Sequence, residues 1–122
     1  IMYQVLIVDD EPIVKIALRS MLDWSTLGFH ICATASNGQE ALEMAEKYRP
    51  DLIICDLKMP VMDGFEATRR IRTLSKTIPI IALTAFAFER EKEIAKQCEF
   101  TDYVVKPIDI KELKKLIAKV LA

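Results

Sequence analysis

Five short apolar runs separated by longer stretches with helical spacing constrain this chain more than any other feature of its sequence. The runs are YQVLIV (residues 3–8), HICATA (30–35), LIIC (52–55), IPIIAL (78–83) and YVV (103–105). Each is short and most are rich in β-branched residues, so they read as strands. Between and after them, apolar residues recur at helical intervals: Ile13, Ile16, Ala17 and Met21; Ala41, Leu42, Ala45 and Tyr48; Ala67, Ile71 and Leu74; the stretch around Ile94, Ala95 and Cys98; and Leu113, Leu116, Ile117, Val120 and Leu121. Strands that alternate with helices this regularly build parallel βα units, so the spacing predicts an α/β protein of five strands and five helices around one parallel sheet. Local chemistry agrees. Pro12 suits a first helical turn, Asn37-Gly38 a strand-to-helix turn, Pro50 the close of the second helix and Asp63-Gly64 the start of the third. Lys111, Lys114, Lys115 and Lys119 fall opposite the apolar stripe of the last helix and read as a solvated face.

At 122 residues the chain is the size of one ordinary domain, and residues 1–122 are expected to form a single one. Charged residues make up 29% and no apolar run approaches the roughly 20 residues that span a bilayer, so no membrane segment and a cytoplasmic location are expected. Cys32, Cys55 and Cys98 are an odd number with no C-x-x-C pair and only one histidine beside them, which argues for small core residues rather than a zinc site. Residues 1–61 hold 5 basic against 9 acidic groups, and residues 62–122 hold 12 against 9. An acidic half that attracts metal is compatible with this split, while the net charge of −1 argues against direct nucleic-acid binding.

The stretch VLIVDDEP runs four apolar residues straight into Asp9, Asp10 and Glu11. Crowded carboxylates at the mouth of a buried strand repel one another, and a hard cation would relieve them. In an open parallel sheet, ligands bind outside the carboxyl ends of the strands. Those ends carry Asp9 and Asp10 after the first run, Asp56 after the third, Thr84 after the fourth and Lys106 after the fifth. Singly, the acids read as helix caps, Thr84 as the start of a helix and Lys106 as a surface charge. Together they suit a divalent cation, a carboxylate nucleophile, an ammonium and a hydroxyl on one rim, which is the equipment of phosphoryl transfer to Asp56. His30, inside a predicted strand, fits a core or surface role.

With these residues placed, the chain resembles the receiver domain of two-component response regulators, from VLIVDDEP through DLIICDLKMPVMDG and IPIIALTA to DYVVKPID. The resemblance implies a flavodoxin-like (βα)5 fold with strand order 2-1-3-4-5. It implies that Asp56 is the phosphoacceptor, that Asp10, Asp56 and the Lys58 backbone carbonyl ligate Mg²⁺, with Mn²⁺ as a substitute, and that Asp9 holds the metal's water shell. Thr84 and Lys106 would grip the phosphoryl group, with a cis Lys106-Pro107 bond. The donor would be a phosphohistidine on a sensor histidine kinase or a histidine phosphotransfer protein. Thr84 and Tyr103 would then switch the face built from the fourth helix, fifth strand and fifth helix, a face that would also serve a homodimer. Such a domain is a signalling module, not an enzyme, catalysing only its own phosphorylation and dephosphorylation. Lys58 and Phe86, each two residues beyond a site residue, would tune the lifetime of the acyl phosphate, with Phe86 limiting access of water.

Two departures stand out. Glu99 occupies a position where a glycine of positive φ is expected, and so should strain the turn before the last strand. The first half, with DWSTLGFHICATASNG, looks like receivers that precede DNA-binding domains, and the second, with EFTDYVVKPID, like those of hybrid kinases. The alternative reading is therefore an engineered or chimeric scaffold that retains the site without a cognate signalling role. A phosphatase with an aspartate nucleophile would want an acid two residues on, where Lys58 stands. A nucleotide- or flavin-binding module would want a glycine-rich phosphate loop, and the chain has only three glycines.

Overall fold

A computed structural model describes residues 2–85, 93, 97 and 99–121. Its elements run β1 (Tyr3–Val8), α1 (Pro12–Met21), β2 (Phe29–Ala35), α2 (Gly38–Tyr48), β3 (Leu52–Asp56), α3 (Gly64–Leu74), β4 (Ile80–Thr84), β5 (Asp102–Val105) and α4 (Ile110–Leu121). The predicted helix around Ile94, Ala95 and Cys98 lies outside the described residues. Every strand pair is parallel, and the order β2-β1-β3-β4-β5 is the one expected.

The three inner strands are buried because helices cover both faces of the sheet. Side chains alternate along each strand, so β1 sends Val5 and Ile7 to one side and Leu6 and Val8 to the other. The first pair joins Leu18, Ile54, Leu83, Leu113 and Ile117 under α1 and α4; the second joins Ala41, Ala45, Ile53, Ile71 and Ile80 under α2 and α3. The helix starts follow their predicted chemistry. Asn37 and Asp63 each accept a hydrogen bond at 2.9 Å from a backbone N–H one turn on, those of Glu40 and Glu66. At the other end of α1 the Trp24 indole N–H donates to the Leu18 carbonyl at 2.9 Å, closing a helix terminus with a side chain.

The stripe read on α1 does not face the core. Ile13 and Ile16 are 72% and 65% exposed and Met21 is exposed, whereas Leu18 and Leu22 are buried with Val14 packed beside them. Both sets repeat at helical intervals, and only packing against the sheet decides between them. Glu99 has a φ of 64°, as its departure from glycine implied.

Candidate functional site

The predicted acids, hydroxyl and ammonium stand at the carboxyl ends of strands. Asp9 follows β1, Asp56 closes β3, Thr84 closes β4 and Lys106 follows β5. The backbone ladder runs past the strands and fixes them there: the Leu57 N–H donates to the Leu83 carbonyl at 3.1 Å, and the Lys106 N–H to the Thr84 carbonyl at 2.7 Å. Lys106-Pro107 is cis, as expected. Behind Asp56, Gly64 lets the head of α3 approach the end of β3. A Cβ there would lie 2.2 Å from the Asp56 carbonyl oxygen.

A cavity of about 300 Å³ opens between these ends, lined by Asp10, Glu11, Asp56, Leu57, Lys58, Thr84, Ala85 and Lys106. Asp9 is fully buried next to it. The Lys106 ammonium stands 2.9 Å from Asp9 Oδ2, 3.5 Å from Asp56 Oδ1 and 3.6 Å from Glu11 Oε1. Burial opposes its charge, but Asp9, Asp56 and Glu11 outweigh burial and hold its pKa above the usual value. Asp56, only 6% exposed, is pushed the other way for an acid. Burial and then the Asp9 carboxylate raise its pKa to about 6, against the opposing pull of Lys106. Two buried carboxylates thus compete for one ammonium. Burial likewise pushes the neighbouring Cys55 thiol up, so it is an inert core group rather than a nucleophile.

The acids have room for a further cation. Asp9, Asp10 and Glu11 offer carboxylate oxygens within 4.8 Å of one another. Asp9 Oδ1 is engaged by the Glu11 N–H at 2.9 Å, but the buried Asp9 Oδ2 has the Lys106 charge beside it without an aligned hydrogen bond. A surplus of hard oxygens and an under-satisfied buried one suit Mg²⁺, which takes few protein ligands and keeps its waters.

Tyr103 lies on β5, opposite Ala82 of β4, and does not line the cavity. Phe86 lies outside the described residues. Sequence reasoning counted Glu11 among the crowded acids but did not anticipate its partner, the Lys106 ammonium. The available signal was a glutamate in the position before Pro12, a helix N-cap position where Ser, Thr, Asp or Asn is usual.

A profile of the response regulator receiver domain matches residues 5–118. An uncharacterised 14.6 kDa protein of Leptolyngbya boryana is 43% identical over 115 residues, 93% of this chain and 86% of that protein. The transcriptional regulatory protein PdtaR of Mycobacterium tuberculosis is 40% identical over 110 residues, 90% of this chain but only 52% of its own length. Among solved structures, the receiver domain of a sensor histidine kinase from Pseudomonas aeruginosa, with magnesium coordinated in its active-site cleft, superposes with a TM-score of 0.86 at 33% identity, covering 100% of both chains. One continuous relative spans both halves, so their contrasting flavours give no support to a recombined origin. The chain belongs to the response regulator receiver domain family.

Proposed function

We propose that this domain accepts a phosphoryl group on Asp56 from a phosphohistidine of a sensor kinase or phosphotransfer protein, and that the acyl phosphate resets a surface for partners. The observation that carries the reading is the placement of Lys106, an ammonium shared between Asp9 at 2.9 Å and Asp56 at 3.5 Å at the edge of a cavity that Thr84 also lines. An Asp56 oxygen attacks phosphorus as the P–N bond of the donor breaks and its electron pair returns to the imidazole ring. Lys106 leaves its carboxylates for an oxygen of the arriving group, and the Thr84 hydroxyl donates to another. Asp10, Asp56 and the Lys58 carbonyl would hold Mg²⁺, with Asp9 acting through its water shell and Mn²⁺ as a substitute. When bound, the metal balances the crowded carboxylates and the charge of the transferring oxygens.

The exposed Ile13 and Ile16 of α1 support a protein donor. Ile13, with Met21 and Ile108, lines an apolar groove that shares Glu11 and Lys106 with the site, so a helix carrying the phosphohistidine can bury apolar surface while it presents its ring. The switch would run from Thr84 to Tyr103 and on to β5 and the helices beside it, as a shift between packings biased by the new charge. The domain turns over no external ester, since Lys58 stands where a general acid is needed.

Incubation with Mg²⁺ and acetyl phosphate, followed by intact-mass measurement, tests this. One phosphate-sized increment in the parent, missing from Asp56→Asn, is expected. An increment that survives in Asp56→Asn, or none under saturating donor, would sink the reading.

A further inference from the structure

The loop from Leu57 to Gly64 carries the Lys58 carbonyl used above, and its far end is tied to a different part of the fold. Its two ends close on each other, the Gly64 N–H donating to the Leu57 carbonyl at 3.0 Å. Its tip turns sharply, with the Met62 N–H on the Pro60 carbonyl at 2.7 Å. Val61 between them has a φ of 67°, a left-handed conformation that β-branched residues strongly disfavour. Strain of this kind persists only where surrounding structure imposes it.

The imposing contact comes from another βα unit. Gly38, the first residue of α2, donates its N–H to the Met62 carbonyl at 2.7 Å. A Cβ at Gly38 would lie 2.4 Å from the Met62 carbonyl oxygen and 2.8 Å from its carbon. Those are backbone atoms that no rotamer change can move aside. Gly38 does not have a positive φ, so glycine is required here for close approach rather than for conformation. The head of α2 is itself fixed. Asn37 caps it, and the Lys15 ammonium donates to Ser36 Oγ at 2.6 Å, tying the preceding residue to α1.

We propose that Gly38 is a positioning residue for the cation site: through Met62 it sets the height of the acceptor loop and thereby where the Lys58 carbonyl stands relative to Asp56. This rests on the proposed role of that carbonyl. It adds that the site is held in shape by a residue of a strand-to-helix turn that touches neither metal nor phosphoryl group.

The test is magnesium affinity by titration calorimetry on the parent, Gly38→Ala and a core variant distant from the loop, Leu113→Ala, with chemical denaturation of each. Gly38→Ala should bind Mg²⁺ about tenfold more weakly or worse, as second-layer substitutions do, while Leu113→Ala stays within about twofold of the parent. A folded Gly38→Ala that matches the parent overturns the proposal. If Gly38→Ala does not fold, the parent alone decides by amide NMR. On saturation with Mg²⁺ the Gly38 N–H should shift well beyond that of Gly28, whose surroundings are open. A Gly38 signal that stays put while Lys58 moves overturns the proposal. Failure of the parent to bind Mg²⁺ at all counts instead against the function on which it rests.

Discussion

Two cations are drawn into this fold, one at each end of the sheet, and they are satisfied in opposite ways. At the amino ends of β4 and β5, the nearly buried Arg72 donates from Nε and Nη2 to the Glu99 carbonyl at 3.0 and 2.8 Å, and from Nη1 to the Ile78 carbonyl at 2.7 Å. Its partners are neutral, fixed and sufficient, and a planar fork of donors suits them. At the carboxyl ends, Lys106 faces three carboxylates within 3.6 Å, and its single positive charge cannot neutralise them all. A saturated buried cation is a structural clamp. An ammonium outnumbered by acids marks a place where more positive charge is wanted, and it is there that the proposed phosphoryl transfer would take place.

The largest expected effect breaks the clamp. Arg72→Ala takes the charged donors away from the part-buried carbonyls of Glu99 and Ile78 and removes a buried side chain beside them, so it should cost about 3 kcal/mol in urea denaturation. That loss should not change with Mg²⁺. A magnesium-dependent loss would mean that the two ends are not separate systems.

The next effect tests the surplus of acid. The folded pKa of Asp56 is raised to about 6 from an ordinary 3.8. Below the ordinary value the group is protonated in both the folded and unfolded chains. Between the two values the folded chain binds a proton that the unfolded chain has lost, so stability present at low pH disappears as pH rises through about 6. Metal-free protein should therefore lose on the order of 2 kcal/mol from this group between about pH 4 and pH 7. The difference between parent and Asp56→Asn across that range isolates it from other acids. Saturating Mg²⁺ should shrink the step, and a difference that is flat without metal would show that Lys106 alone suffices.

How much of this was legible in the sequence follows from the physics of each part. The alternation of apolar runs predicts the parallel sheet because period and length are local properties, and the strand ends then deliver Asp9, Asp56, Thr84 and Lys106 to one rim without knowledge of any contact. What failed or stayed hidden depends on partners remote in sequence. Ile13 and Val14 are equally apolar, and only the sheet decides that Val14 packs and Ile13 is exposed. Arg72 reads like its neighbours Arg69 and Arg70 on a charged helix, yet two of its hydrogen bonds reach Glu99, 27 positions away, while Arg69 and Arg70 each pair with Glu66, three and four positions back. Asn37-Gly38 announced a turn, but not that its glycine lies against a loop from another unit. Glu99 is the exception: the missing glycine already marks a left-handed residue in the sequence, and its φ is 64°.

Glu99 also gives the smallest expected effect and the sharpest probe of the clamp. Its φ of 64° costs a residue with a Cβ roughly 1 kcal/mol, a cost glycine avoids, though glycine has more unfolded-chain entropy to lose. Arg72 holds this turn by the backbone carbonyl, so Glu99→Gly keeps both hydrogen bonds and should stabilise the protein by up to about 1 kcal/mol, read as a higher urea midpoint. In an Arg72→Ala background the turn is free to relax toward a conformation that glutamate prefers, so the same replacement should gain less. Equal gains in both backgrounds would mean that Arg72 merely fills space, and that the left-handed turn is held by the Phe65–Phe100 edge contact, 6.0 Å between ring centres, and by the Thr101 N–H on the Ile80 carbonyl at 2.9 Å.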